Sequence, residues 1–246
     1  MNKSKLLNKI NPLFNLGIAH RGLHNEQFTE NGMNAFKNAI DHNFAFELDV
    51  HLSKDNHLIV CHDDNLKRTT NKEGIIEELT LDEIKTNYKL LDGSEIPTLQ
   101  EVLKLNNEQV PLVIELKVRK GNYAPLAKQL KKELTNIKDK RNFFLISFDP
   151  RALIRTKSLK ITTGLLVCKE HEWVYKTKSH FDSLDLEFTM TEQERVRKYQ
   201  KKKFVNVWTI ESIEDFEKVY PYVDTVTFQH VDYEYIRNRL KEKYNK

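Results

Sequence analysis

Short apolar, β-branched runs alternate with amphipathic stretches along almost the whole chain. Eight runs read as strands, at 16–20, 45–50, 111–117, 143–147, 162–167, 183–187, 204–209 and 224–228. Between them, apolar positions at helical spacing predict helices over 31–43, 126–138, 151–157, 172–179, 192–202, 213–220 and 233–244. Boundary signals support several of these. Thr29-Glu30-Asn31 precedes the stripe Ala35, Phe36, Ala39 and Ile40. Asp149-Pro150 sets proline at a first helical position behind an N-cap, and Ser212-x-x-Asp215 resembles a capping box. Repeated βα units with eight strands predict an α/β fold, a closed parallel (β/α)8 TIM barrel.

One segment breaks the alternation. Between the second and third predicted strands lie a hairpin partner at 58–62, a turn-rich stretch at 65–74 and helices at 81–87 and 99–105. Long excursions on a barrel are usually functional. The expected organisation is one domain over 1–246 with an insertion, about 52–107, after the second strand. Leu6, Leu7, Ile10, Leu13 and Phe14 follow a rough helical spacing. They read as a plug for the barrel bottom; the alternative is contact with a membrane surface.

Composition then narrows the partners. Lys and Arg number 40 and Asp and Glu 36, a net charge of +4, too small for this length to imply nucleic acid. Apolar runs stay far short of the roughly 20 residues of a bilayer span, so no stable membrane insertion is expected. The 7 glycines never fall in a G-x-G spacing, and no Walker loop is present. Phosphate, if handled, falls to side chains or a metal. Cys61 and Cys168 suggest neither a disulfide framework nor a zinc cluster. Without an apolar leader pattern near residue 1, the expected compartment is cytoplasmic.

The chemistry sits at strand ends. In Phe46-Glu47-Leu48-Asp49-Val50, alternation puts Glu47 and Asp49 on one face. Strands of a parallel barrel are apolar on both faces, so two acids together invite a divalent cation between them. Hard oxygens suit Mg²⁺, Ca²⁺ or Mn²⁺. The alternative is an exposed edge strand with solvated acids. Glu115 and Lys117 repeat the pattern in Val113-Ile114-Glu115-Leu116-Lys117, where a self-neutralising pair is the alternative. His20 ends the first strand beside Arg21 and Gly22, and His62 ends the 58–62 run beside Asp63, which could orient it. Paired imidazoles suit a reaction needing a general base and a general acid. His51 and His230 are minor candidates for the rim; His24, His42, His57, His171 and His180 read as solvated. Trp208 reads as a wall of the barrel mouth or a core residue.

These residues belong to an ordered series of motifs. It runs Ala19-His20-Arg21-Gly22, Glu30-Asn31, Glu47-Leu48-Asp49-Val50, Ser53-Lys54-Asp55-Asn56, and Val60-Cys61-His62-Asp63-Asp64-Asn65 continuing to Leu66-Lys67-Arg68-Thr69-Thr70. It continues with Ile96-Pro97-Thr98-Leu99, Ile114-Glu115-Leu116-Lys117, Ser147-Phe148-Asp149 and Val207-Trp208-Thr209. In order and spacing the chain resembles the glycerophosphodiester phosphodiesterase family. The resemblance implies a barrel of the phospholipase-C-like type and one divalent cation on Glu47, Asp49 and Glu115. It implies paired catalytic histidines at His20 and His62, and phosphate-binding cations at Arg21 and Lys117. It further implies hydrolysis of a small-molecule glycerophosphodiester to glycerol 3-phosphate and an alcohol, in lipid and glycerol metabolism. Trp208 is expected to contact the substrate. The neighbouring glycerol hydroxyl is a candidate nucleophile, giving a cyclic phosphate that water then opens. The apolar character around Phe44, Phe46 and Trp208 supports a second reading, a lysophospholipase D or sphingomyelinase D-like activity. A third is a phosphate-ester-binding barrel without turnover. The last two strands depart from the family pattern. Ile210-Glu211 stands where an Asn often follows Trp-Thr, and Phe228, Gln229 and His230 follow Thr227 where Asp is usual.

Overall fold

The computed structural model describes residues 3–244, apart from the side chain of Arg195. Nine strands form: β1 (Ile18–Ala19), β2 (Ala45–Leu52), β3 (Leu58–Val60), β4 (Leu112–Leu116), β5 (Phe143–Ser147), β6 (Thr162–Val167), β7 (Ser183–Glu187), β8 (Phe204–Ile210) and β9 (Thr225–Phe228). Parallel pairing runs from β2 through β4 to β9 in order, then to β1, which pairs back onto β2 and closes an eight-stranded barrel. β3 stands outside this ring as the antiparallel hairpin partner of β2.

The expected α/β barrel is therefore present, with local differences. The first strand is shorter than 16–20, because Pro12–Leu16 winds into a 3-10 turn capped by the Asn11 side chain. The helices are α1 (Lys3–Leu7), α2 (Met33–Asp41), α3 (Lys67–Thr70), α4 (Leu81–Asn87), α5 (Leu99–Asn106), α6 (Tyr123–Glu133), α7 (Pro150–Thr156), α8 (Glu194–Gln200), α9 (Ile213–Val219) and α10 (Tyr233–Tyr244). α2 starts two residues later than expected: Asn31 has a left-handed backbone, and its side chain bonds Asp49 instead of capping. Asp149 and Ser212 do cap α7 and α9. Residues 172–179 form a 3-10 segment, Glu172–His180, in place of the expected α-helix. Between β2 and β4, Ile84 of α4 packs with Ile59, Leu66, Ile76 and Tyr88 in a separate small core, while Leu99 and Val102 of α5 join the large one. No helix among the described residues is long and apolar enough to cross a membrane.

Strand alternation divides the barrel into two environments. One face of the strands, with Phe46, Leu48, Ile114 and Leu145, joins the large apolar core that includes residues of α2, α5 and α6. At one end of the interior, Leu6, Ile10 and Phe14 pack onto Ile18, Ala45, Val113, Phe144 and Phe204, which is the expected plug. Beyond the plug the interior turns polar, with Glu47, Asp49, Glu115, Asp185, Asn206 and Thr227 all buried.

Asp185 shows what such burial costs. It accepts hydrogen bonds from Asn206 Nδ2 (2.9 Å) and Ser183 Oγ (3.0 Å). Any side chain at Gly164 would collide with both Asp185 and Ser183, so glycine makes the room. Desolvation still pushes the Asp185 carboxyl up to about 6. The folded state thus holds this proton more tightly than the unfolded chain does. Stability is full below about pH 4 and declines as pH rises through about 6, by up to roughly 3 kcal/mol. Asp185→Asn should therefore raise the melting temperature at pH 8 and leave it unchanged at pH 4. A lower Tm at pH 8 would mean that the fold requires the charge.

Candidate active site

Register brings the acids together. β2 and β4 pair with Asp49 opposite Glu115, while Glu47 lies two residues earlier on the same face. One oxygen from each of Glu47, Asp49 and Glu115 lies within 4.8 Å of the others, and all three residues are buried. Lys117 Nζ sits 3.0 Å from Glu115 Oε1 and 3.3 Å from Asp49 Oδ1. Asn31 Nδ2 donates to Asp49 Oδ2 (2.8 Å), and the Arg21 backbone N–H donates to Glu47 Oε2 (3.0 Å).

The charges there are ill matched. Burial, reinforced by Asp49 and Glu115, pushes Glu47 well above the usual carboxylate range. Burial likewise raises Glu115 to about 7 although Lys117 opposes it. Burial alone would raise Asp49 as well, but Lys117, His62, Arg21 and Asn31 hold it far below its ordinary value. Three acids that resist being charged together, with Asp49 Oδ1 buried and, among the described residues, held by no directed hydrogen bond beyond the Lys117 charge at 3.3 Å, fit a hard divalent cation. The acidic triad can therefore hold a metal ion.

Arg21 enters with a left-handed backbone, φ 54°. Gly22 follows at φ 83°, where a Cβ would press on the backbone of Ala35 in α2. Such conformations cost about 1–3 kcal/mol in non-glycine residues and gather at functional sites. Here the bend delivers the Arg21 amide to Glu47 and its guanidinium to Glu30 (2.7 Å) and Asp49 (3.5 Å). Arg68 extends the chain of charges. It donates to both oxygens of Glu30 at 2.8 Å and to Asp63 Oδ2 at 2.6 Å.

Both candidate histidines line one cavity of about 80 Å³ with Arg21, Glu47, Glu115, Lys117, Asn206 and Trp208. Their outer nitrogens have different partners. His62 Nδ1 lies 2.6 Å from Asp63 Oδ1, whereas His20 Nδ1 lies 2.6 Å from the amide oxygen of Gln229. Burial, then Arg21, drives His20 down to about 3. Burial also lowers His62, against the pull of Asp49. An open groove of about 700 Å³ adjoins this cavity and shares His62, Glu115, Lys117 and Phe148 with it.

The structure thus gathers His20, Arg21, Glu47, His62, Glu115, Lys117 and Trp208 around one cavity, with Asp49 against its acids. Trp208 packs edge-on against Phe148 (5.7 Å), and its indole N–H has no partner among the described residues. His51 is buried, bonded to Glu77 (2.7 Å) and to the His62 carbonyl (3.1 Å), so it braces the His62 backbone. His230 lies outside this cavity, stacked edge-on with His24 at 4.7 Å. His24, expected in solvent, is half-buried and reaches Gln229 (3.3 Å). Phe44 and Phe46 correct another expectation. They are buried in the outer apolar core, Phe46 stacked on Phe36 of α2, and line neither the cavity nor the adjoining groove.

The family model described as glycerophosphoryl diester phosphodiesterase family matches residues 20–219. A glycerophosphodiester phosphodiesterase of Caldanaerobacter subterraneus subsp. tengcongensis is 37% identical over 161 residues, 61% of this chain and 66% of that protein. The chain spans about two thirds or less of the first curated relatives it matches. A solved glycerophosphodiester phosphodiesterase of Thermotoga maritima superposes with a TM-score of 0.72 at 27% identity, over 93% of this chain and 97% of that one. An Oleispira antarctica phosphodiesterase, solved with its product sn-glycerol-3-phosphate, superposes with a TM-score of 0.79 at 24% identity, over 93% and 96% of the two chains.

Proposed function

Because this chain belongs to the glycerophosphoryl diester phosphodiesterase family, we propose that it is a metal-dependent phosphodiesterase. It hydrolyses glycerophosphodiesters to glycerol 3-phosphate and an alcohol. The observation that carries this reading is the buried set Glu47, Asp49 and Glu115 facing two histidines across one small cavity. The product held by the Oleispira neighbour supports the substrate class.

Each residue then has a task. Glu47, Asp49 and Glu115 hold one divalent cation, Mg²⁺, Ca²⁺ or Mn²⁺, which when bound supplies Lewis-acid stabilisation of the phosphoryl oxygens. Arg21 and Lys117 keep two fixed positive charges beside the same oxygens, where negative charge grows in the transition state. His20, desolvated and facing a neutral amide, takes the proton of the attacking hydroxyl. His62, backed by the Asp63 carboxylate, gives a proton to the departing alkoxide. The P–O bond to the attacking glycerol hydroxyl forms as the bond to the alcohol breaks, and water then opens the resulting cyclic phosphate to glycerol 3-phosphate. Trp208 closes one wall and offers its indole N–H.

A coupled glycerol-3-phosphate assay across a panel of diesters tests the reading. Release should require a divalent cation and stop on adding EDTA. Release that survives exhaustive chelation, or none with any cation, would contradict it; the second result would favour a binding barrel without turnover.

The groove supports a second reading, an alcohol larger than a small head group. It is lined by Leu116, Val118, Phe148, Pro150 and Trp173, and Trp173 is 61% exposed. An exposed indole beside a catalytic cavity suits an apolar portion of the leaving group. Lysophosphatidylcholine turned over faster than glycerophosphocholine would favour that reading.

A further inference from the structure

The two departures from the family pattern, on adjacent strands, meet in space. Ile210 ends β8 opposite Phe228 of β9, and the Gln229 N–H donates to the Ile210 carbonyl (3.0 Å). The residues just past this pairing are therefore neighbours, and the Gln229 amide Nε2 donates to Glu211 Oε1. A carboxyl oxygen can pair only with the NH₂ side of that amide, so Gln229 Oε1 is turned inward. There it meets His20 Nδ1 at 2.6 Å and His24 Nε2 at 3.3 Å.

We propose that Glu211 and Gln229 form a positioning relay that fixes the tautomer of His20. It rests on the reading of His20 as a proton acceptor and adds the device that makes it one. An amide oxygen has no proton to give, so His20 must carry its proton on Nδ1. The tautomer follows from what the outer nitrogen bonds to. Nε2 is then the ring nitrogen with a free lone pair, on a ring that lines the cavity. The amide also sets the orientation without adding a negative charge behind the ring. That separates His20 from His62, which has a carboxylate behind it. His24 shares the same acceptor oxygen and limits how far the amide can swing. Glu211 is a surface residue whose task here is to stop Gln229 from flipping.

The test is long-range ¹H–¹⁵N NMR of the histidine rings in the full chain, which reports the tautomer without substrate or turnover. Wild-type His20 should show the neutral Nδ1–H pattern. Gln229→Leu and Glu211→Leu should each convert it to Nε2–H or to a mixture. Each should lower kcat about tenfold or more with little change in KM. The exchange variant Glu211→Gln/Gln229→Glu keeps one donor and one inward acceptor, and should restore the Nδ1–H pattern. His20 found as Nε2–H in the wild type, or unmoved by both leucine variants, overturns the relay. A protein with the Nδ1–H pattern that hydrolyses no diester overturns the proposed reaction instead and leaves the relay standing.

Discussion

Glu115→Gln should abolish cation binding and lower diester hydrolysis by three orders of magnitude or more. Glutamine preserves the shape of the side chain and keeps one oxygen but removes the charge. Lewis-acid stabilisation contributes several kcal/mol to a phosphoryl transition state, and each 1.36 kcal/mol is tenfold in rate. The same change should act in the opposite direction on the fold. Burial and Asp49 hold the Glu115 carboxyl up to about 7, although Lys117 favours its charge. A neutral amide is spared that conflict. In EDTA, Glu115→Gln should therefore melt at or above the wild-type temperature at pH 8. Millimolar Mn²⁺ should raise the wild-type Tm, since a ligand that binds only the folded state stabilises it in proportion to the logarithm of its concentration. The variant should show no such rise. Calorimetric scans of both proteins with and without Mn²⁺ separate a ligand role from a structural one. A variant that still gains stability from Mn²⁺ would remove Glu115 from the ligand set.

Replacing either histidine should leave cation binding intact and cost 10²- to 10⁴-fold in kcat, the usual worth of a positioned acid or base. The two losses should differ in kind. His62 has a carboxylate at 2.6 Å behind it, suited to hold the imidazolium that protonates a departing alkoxide. A leaving group as weakly basic as p-nitrophenolate needs no such proton. His62→Asn should therefore recover most of its loss on a p-nitrophenyl ester of glycerol 3-phosphate. His20→Asn should recover little, because the attacking hydroxyl still has to lose its proton. Rates of both variants on the alkyl and aryl esters provide the check. Equal recovery by the two would contradict the division of roles, and recovery by His20→Asn alone would reverse it.

What could be read from the sequence follows from how each residue reaches the site. Strand alternation puts Glu47 with Asp49 and Glu115 with Lys117; that the parallel register sets Asp49 opposite Glu115 is visible only in the fold. The plug of Leu6, Ile10 and Phe14 is legible through a different signal, apolar positions at rough helical spacing on a short segment. Which distant groups a side chain bonds to is not legible in this way. Asn31 belongs to the Glu30-Asn31 motif, yet its bond to Asp49 depends on a left-handed backbone that periodicity does not reveal. Arg68 reaches Glu30 across 38 residues, and Gln229 reaches His20 across 209. No local pattern encodes contacts at that separation; the only trace in the sequence is the departure from the family pattern at Glu211 and Gln229. Phe44 and Phe46 misled because an apolar strand face looks alike whether it meets a substrate or a helix. Here it meets α2 and α10.

The most direct measurement is diffraction from crystals soaked in Mn²⁺ and glycerol 3-phosphate, with data collected at the manganese edge. An anomalous peak should appear bonded to oxygens of Glu47, Asp49 and Glu115, with the phosphate within reach of Arg21 and Lys117. A protein that binds and hydrolyses the diester while its manganese lies elsewhere, or nowhere, would contradict this assignment.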